Sequence, residues 1–268
     1  MPIIDFDQLL TIARETAVSA GSLVHEKLNQ PRQTTSKGFR DLVTDADLAA
    51  QQLITGRIQQ AFPSHGFLPE EENTALPTEG EVIWVIDPVD GTTNYSRQLP
   101  VFCVSIAAAV PGTGPVVGVV YDPLRQECFY GVKGKGAWLN GRSLQTSPIT
   151  DLSQAIIGLD WSHNKQKRQS VLNSLPRFAH QVQTVRAFGS AALALAWVAA
   201  GRLDAYLNYS LQPWDTAAAG LLIHEAGGQL GRLDPTNPTL PWAEKQQSML
   251  GSNGRIHQTL LDQVAGSA

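Results

Sequence analysis

Asp87 and Asp90 stand three residues apart at the end of an apolar run, in WVIDPVDGTTNY (84–95). Carboxylates at the end of a buried strand cost free energy through desolvation and mutual repulsion. A hard divalent cation removes both costs, because Mg²⁺ prefers carboxylate oxygens and water. The plain alternative is a type I turn with Pro88 at its second position and solvated acids, and D-P-x-D-G alone fits it equally well. Gly91, Thr92 and Thr93 shift the balance. Backbone N–H groups at a Gly-Thr-Thr turn that opens into another element form an anion site. Metal ligands beside a phosphate cradle suggest metal-assisted phosphoryl chemistry.

Three further acidic stretches are less telling one by one. Glu70-Glu71-Glu72 follows Phe67-Leu68-Pro69 and, taken alone, reads as a solvated charge run. Asp215, in PWDTAAAG, reads alone as a helix N-cap. Asp45 and Asp47, in DLVTDAD (41–47), are explained by helix-start electrostatics.

These groups need elements to hold them. Leu10, Ala13, Ala17, Ala20, Val24 and Leu28 recur at helical steps and predict an amphipathic helix over 6–29, ended by Gln30-Pro31. The polar, glycine-containing TTSKGFR (34–40) predicts a loop. Thr44 predicts the N-cap of a second helix that runs to Phe62 and stops at Pro63. The period then changes to two, with strands expected at 82–86, 102–110, 116–121, 127–132 and 137–139 and a hairpin turn at Asn140-Gly141. Beyond Asp151, strands at 155–159, 184–188, 203–207 and 248–251 alternate with helices at 164–175, 190–200, 216–226 and 254–264. This order predicts a layered α/β or α+β sandwich. An N-terminal α+β half (1–147) and a C-terminal α/β half (148–268) would pack as one unit.

Composition excludes several classes. The 268 residues are 43% hydrophobic and 16% charged, ordinary for a soluble globular protein. A net charge of -4 without any basic block gives no nucleic-acid footprint. Cys103 and Cys128 sit in apolar runs and form neither a disulfide framework nor a CxxC site. They read as buried thiols of a reducing cytoplasm. MPIIDFDQLL lacks the basic region and apolar core of a signal peptide, and no apolar run reaches the ~18 residues of a membrane span. No histidine pair has metal-ligand spacing. GVKGKG (131–136) leads into a hairpin and not a helix, which excludes a dinucleotide motif. Asp160-Trp161-Ser162-His163 reads as a substrate-facing loop or surface strand end, not as part of a triad.

Together and in this order, DLVTDAD (41–47), PEE (69–71), WVIDPVDGTTNY (84–95) and WDTAAAGLLIHEAGG (214–228) resemble the inositol monophosphatase family. GVVYDP (118–123), KGKGAWLNG (133–141) and FGSAALALAWVAAGRLDAY (188–206) add weaker support. The resemblance implies a five-layer αβαβα sandwich and a site holding two or three Mg²⁺ ions. It implies hydrolysis of a small phosphate monoester, inositol 1-phosphate foremost, by metal-activated water and without a covalent intermediate. Glu70, Asp87, Asp90, Asp215 and the Val89 carbonyl would be the metal ligands. Glu71 would act behind them or through water, and Lys37 would lie near a third metal, or be an ordinary exposed lysine. Gly91 and Thr92 would hold the phosphate. Thr92, oriented by Asp47, would position the attacking water together with Glu70. Gly189, Ser190 and Ala191 match a substrate-facing segment, and Asn208 and Asp215 would contact the substrate. A homodimer and lithium inhibition are further implications of the same likeness.

Two positions depart from the pattern. Pro69 stands where the family mostly has glycine, which stiffens the entry to the first metal site. With three consecutive glutamates the register of the pair is set at 70–71 by its spacing to Asp87. Asn208, seven residues before Asp215, replaces an acid that binds substrate hydroxyls in inositol-preferring members. An amide still donates and accepts, more weakly than a carboxylate accepts. Sugar phosphates such as fructose 1,6-bisphosphate therefore stay open. The competing class is a non-enzymatic regulator of the same fold that binds protein or RNA. The intact ligand set argues for the enzyme, and the missing basic patch argues against RNA.

Overall fold

Side-chain alternation along the strands sets the architecture. The computed structural model describes residues 4–30, 34–38, 41–72, 75–162, 164–234 and 242–264, and the side chains of Lys37 and Asp41 lie outside that description. The chain opens with α1 (Phe6–Lys27), the ribbon β1 (Thr34–Gly38) and β2 (Asp41–Thr44), and α2 (Asp45–Ala61). There follow β3 (Gly66–Pro69), β4 (Ile83–Asp90), the short α3 (Thr92–Ser96), β5 (Cys103–Val110), β6 (Gly114–Asp122), β7 (Glu127–Val132), β8 (Gly136–Leu139) and β9 (Arg142–Ser143). The rest comprises β10 (Ile156–Leu159), α4 (Lys165–Phe178), β11 (Thr184–Arg186), α5 (Ala191–Ala199), β12 (Ala205–Leu211), α6 (Pro213–Glu225), β13 (Gln229–Arg232), β14 (Gln247–Ser252) and α7 (His257–Val264).

Strands β3 to β9 form a seven-stranded sheet in sequence order, antiparallel except for the parallel β3–β4 pair. A five-stranded sheet has the order β11-β10-β12-β14-β13. Helices α1 and α2 cover one face of the larger sheet, α5 and α6 lie between the sheets, and α4 and α7 cover the far face of the smaller one. The layers are therefore αβαβα, held by three apolar cores, of which the middle one packs α5 and α6 against both sheets. In β4, Trp84 and Ile86 face α1 and α2 while Val85 faces α5 and α6, and β5 follows the same alternation.

Local chemistry explains most boundaries. Asp5 caps α1 by accepting from the N–H groups of Asp7 and Gln8. Thr44 and Asp47 form a reciprocal capping box on α2. Asn140 (φ 48°) and Gly141 (φ 85°) make the β8–β9 turn, as their sequence predicts. Cys103 and Cys128 are buried free thiols.

Several elements differ from the sequence reading, among them β1 to β3, α3, β13 and the start of α6. The stretch expected as a loop at 34–40 is a strand over its first five residues, pairing Thr34, Thr35 and Ser36 with Thr44, Val43 and Leu42. Its exposed polar side chains belong to a ribbon outside both sheets and so show no apolar alternation. Strands β3 and β13, four residues each, are too short to carry a readable period. Helix α6 starts at Pro213, not at residue 216, because proline suits the first helical position. No helix among the described residues is long and apolar enough to cross a membrane.

Candidate active site

In a regular strand, residues three apart point to opposite faces. Asp87 and Asp90 nevertheless share a face. The β4–β5 register shifts between them, and Val89, one residue before Asp90, packs into the α1–α2 core instead of the α5–α6 core. This bulge carries Pro88, which has no N–H to lose from the ladder. The type I turn allowed by D-P-x-D-G is absent, since β4 continues to Asp90.

Asp90 has many donors. Its Oδ2 accepts from Ser190 Oγ (2.5 Å) and Ala192 N (2.8 Å), and its Oδ1 accepts from Ala191 N (3.1 Å). A carboxylate of the seven-stranded sheet thus caps a helix of the next layer. Asp87 accepts the N–H of Val89 (3.0 Å) and faces other acids. Asp215 lies in the first turn of α6, and its Oδ2 accepts from Gln212 N (2.7 Å). It is the third residue of the helix and not its N-cap. One carboxylate oxygen from each of Asp87, Asp90 and Asp215 lies within 4.8 Å of the other two. Glu70 extends β3 by donating its N–H to Ile86 O (2.9 Å), which brings its carboxyl against that of Asp87.

The electrostatics of this group are strained. Burial, then the charges of Glu70, Asp90 and Asp215, push the Asp87 carboxyl well above its usual range. Asp215 is raised by burial and by Asp90. Asp90 is raised by burial, against the opposing pull of its hydrogen bonds to Ser190 and α5. Three clustered carboxylates stay ionised together only with a cation among them. Their all-oxygen donor set fits a hard divalent ion.

Gly91 follows in the left-handed region (φ 99°), where a Cβ would stand 3.0 Å from Val101 O and 3.1 Å from Gly189 O. Only glycine fits there. Thr92 starts α3, and its hydroxyl lies 3.0 Å from both Asp47 Oδ1 and the Val89 carbonyl. Asp47 also accepts from Thr44 N (3.0 Å) and Thr44 Oγ1 (2.5 Å). Burial raises its pKa to about 6, against the lowering effect of these threonines. Glu71 is buried, and its backbone is held at both ends by the Gln51 amide.

One cavity of about 800 Å³ gathers these groups. Every predicted site residue lines it except Asp47, which lies behind Thr92, and Lys37, whose side chain is outside the described part. Gly189, Ser190 and Ala191 line it too, with their donors turned to Asp160 and Asp90. Glu72 also lines the cavity and is exposed.

Of the two readings its sequence allows, a substrate-facing loop or a surface strand end, Asp160 fits the first, because it lines the cavity. It is 6% exposed and accepts from Phe188 N (2.8 Å), Gly189 N (2.9 Å) and Tyr206 Oη (3.0 Å). Tyr206 Oη in turn accepts from Asn208 Nδ2 (3.2 Å), and Asn208 Oδ1 accepts from Ser210 N (3.0 Å). Asp160 follows the apolar run IIGL, a strand-end carboxylate like Asp87, and that signal could have found it. Trp161 and Trp214, both within stretches singled out in the sequence, also line the cavity, as does Lys245, which carried no sequence signal. His163 lies outside the described residues.

The sequence profile of the inositol monophosphatase family matches residues 5–267. The chain belongs to the inositol monophosphatase family. Nus factor SuhB of Escherichia coli is 41% identical to it over 223 residues, 82% of this chain and 83% of the relative. The inositol-1-monophosphatase of Synechocystis is 36% identical over 267 residues, 98% and 91% of the two chains. The crystal structure of extragenic suppressor protein SuhB from Bartonella henselae matches with a TM-score of 0.90 at 30% identity, covering 97% of this chain and 100% of that one. The family thus includes relatives named for phosphatase activity and relatives named as a Nus factor.

Proposed function

We propose that this protein is a Mg²⁺-dependent phosphomonoesterase acting on a small phosphorylated polyol or sugar, inositol 1-phosphate being the first substrate to test. One observation carries the reading. The clustered carboxylates of Asp87, Asp90 and Asp215 open into the same cavity as Thr92, whose hydroxyl is held by the buried Asp47.

Held by Glu70, Asp87, Asp90, Asp215 and the Val89 carbonyl, Mg²⁺ would supply Lewis-acid charge to the phosphate and the attacking water. The rest falls to the protein's own groups. Ionised Asp47 accepts the Thr92 proton, which leaves the Thr92 oxygen free to accept from a water. Glu70, beside Asp87, takes the proton that this water gives up. Gly91 and Thr92 line the cavity at the start of α3, where their N–H groups would hold the phosphate oxygens. Family membership also supports a homodimer and lithium sensitivity, and two buried free thiols support a cytoplasmic location.

The test is phosphate release from inositol 1-phosphate with Mg²⁺, for the wild type and Asp87→Asn. The expected result is turnover that the variant loses by on the order of 10³-fold. A Mg²⁺-loaded wild type that releases no phosphate from this ester or from a sugar phosphate would overturn the reading. The regulatory role suggested by the name of the E. coli relative would then lead.

A further inference from the structure

The alcohol side of the cavity differs from its metal side in charge. Seven lining residues are acidic: Glu70, Glu71, Glu72, Asp87, Asp90, Asp160 and Asp215. Lys245 is the single cation among the described lining residues. Its ammonium lies 5.6 Å from the centroid of the Trp214 ring, and Trp214 directly precedes Asp215. Among the described residues Lys245 makes no ion pair. Trp161, the other tryptophan of the lining, carries Arg168 over its ring at 5.3 Å. The exposed part of the lining thus carries one cation, Lys245, beside Glu72, above an acidic, buried floor.

The residue expected to read substrate hydroxyls is already engaged. Asn208 gives its amide N–H to Tyr206 Oη, and its carbonyl takes the Ser210 N–H. Asp160 fixes Tyr206 from the other side. This chain of bonds holds a neutral side chain in place, and it lacks the spare anionic acceptor that would favour a bare diol.

We propose that Lys245, seated on Trp214, forms a subsite for a second phosphate, so that the preferred substrate is a phosphomonoester whose alcohol is itself phosphorylated. The inference rests on the hydrolase reading and narrows its substrate class. A lysine binds phosphate as a point charge, and a dianionic phosphate gains more from it than a carboxylate does. An indole beneath the ammonium holds it by cation–π attraction without neutralising it. A cavity of about 800 Å³ has room for both ends of such an ester.

The test compares fructose 1,6-bisphosphate with fructose 1-phosphate, which differ only in the second phosphate. Binding is measured by calorimetry with Ca²⁺ present, since Ca²⁺ also takes oxygen ligands. The wild type is expected to bind the bisphosphate about fivefold to tenfold more tightly. Lys245→Gln is expected to abolish this preference and Lys245→Arg to retain it. Raising the salt from about 0.05 M to 0.5 M is expected to shrink it, because the lysine is exposed. Equal affinity of the wild type for the two esters, or an undiminished preference in Lys245→Gln, would overturn the subsite. Phosphate release from inositol 1-phosphate with Mg²⁺ is run in parallel. If it fails while the preference holds, the hydrolase reading falls and the subsite stands. Release without any preference has the reverse meaning.

Discussion

Replacing Asp87 and replacing Asp90 should move stability in opposite directions, because their carboxylates have different neighbours. Asp87 faces the charges of Glu70, Asp90 and Asp215. In the metal-free protein Asp87→Asn relieves that repulsion and should raise Tm by a few degrees. Asp90 accepts from Ser190, Ala191 and Ala192 at the head of α5. Asp90→Asn turns an NH₂ toward those donors and should cost about 1–3 kcal/mol, at roughly 2–4 °C of Tm per kcal/mol. Thermal melts in chelator decide, and a shared direction would refute the division of roles. Both variants should lose the Tm gain given by Mg²⁺. Thr92→Val should lower kcat about 10²-fold and leave KM nearly unchanged, since the hydroxyl is assigned to the water and not to the ester. A rise in KM alone would instead make Thr92 a binding residue.

Close backbone contact between β6 and α6 fixes where Asp215 sits. A Cβ on Gly118 would stand 2.7 Å from the Ala218 carbonyl oxygen and 2.9 Å from its Cα. Gly118→Ala should therefore cost about 1–3 kcal/mol by urea denaturation and weaken Mg²⁺ binding, since Asp215 moves with α6. Unchanged stability would show that the two layers can separate freely. The C-terminal end of α6 is held as well, because Glu225 accepts from Gly134 N (2.8 Å) and Gly136 N (2.9 Å) of the β7–β8 hairpin. Sequence showed the long strands and helices well, since alternation in 102–110 or helical steps in 6–29 repeat several times. Strand β3 was hidden because Gly-Phe-Leu-Pro is too short to repeat, although it delivers Glu70. The bulge was hidden too, because spacing alone puts Asp87 and Asp90 on opposite faces. Asp160 was visible as either a substrate-facing loop or a surface strand end, and only the fold shows that Phe188, Gly189 and Tyr206 converge on it. The lysine at the rim is adjacent to Trp214 in space only, and nothing in EKQQ announces it.

The molecule as a whole should respond to pH and metal together. Burial raises the carboxyls of Asp47, Asp87, Asp90, Asp160 and Asp215 above their unfolded values. The metal-free folded state then holds more protons than the unfolded chain, so its stability falls as pH rises from about 4 through 6 and beyond. His257 acts oppositely. Burial beside Ser252 lowers its pKa to about 4, and the stability tied to its neutral form is lost as pH falls from 6.5 toward that value. Melts in chelator should therefore peak at mildly acid pH, and saturating Mg²⁺ should lift the neutral side most. A chelated protein whose Tm climbs steadily from about pH 5.5 to about 7.5, roughly one unit either side of the ordinary histidine value, would contradict this. All nine residues of α5, AALALAWVA, are buried between the two sheets. No face of this helix meets water, so no position on it can absorb a charged replacement neutrally. In a saturating substitution library this segment should stand out as the most depleted helix, accepting only exchanges among small apolar residues. Over evolutionary time it should drift more slowly than α1, whose outer face is free to vary.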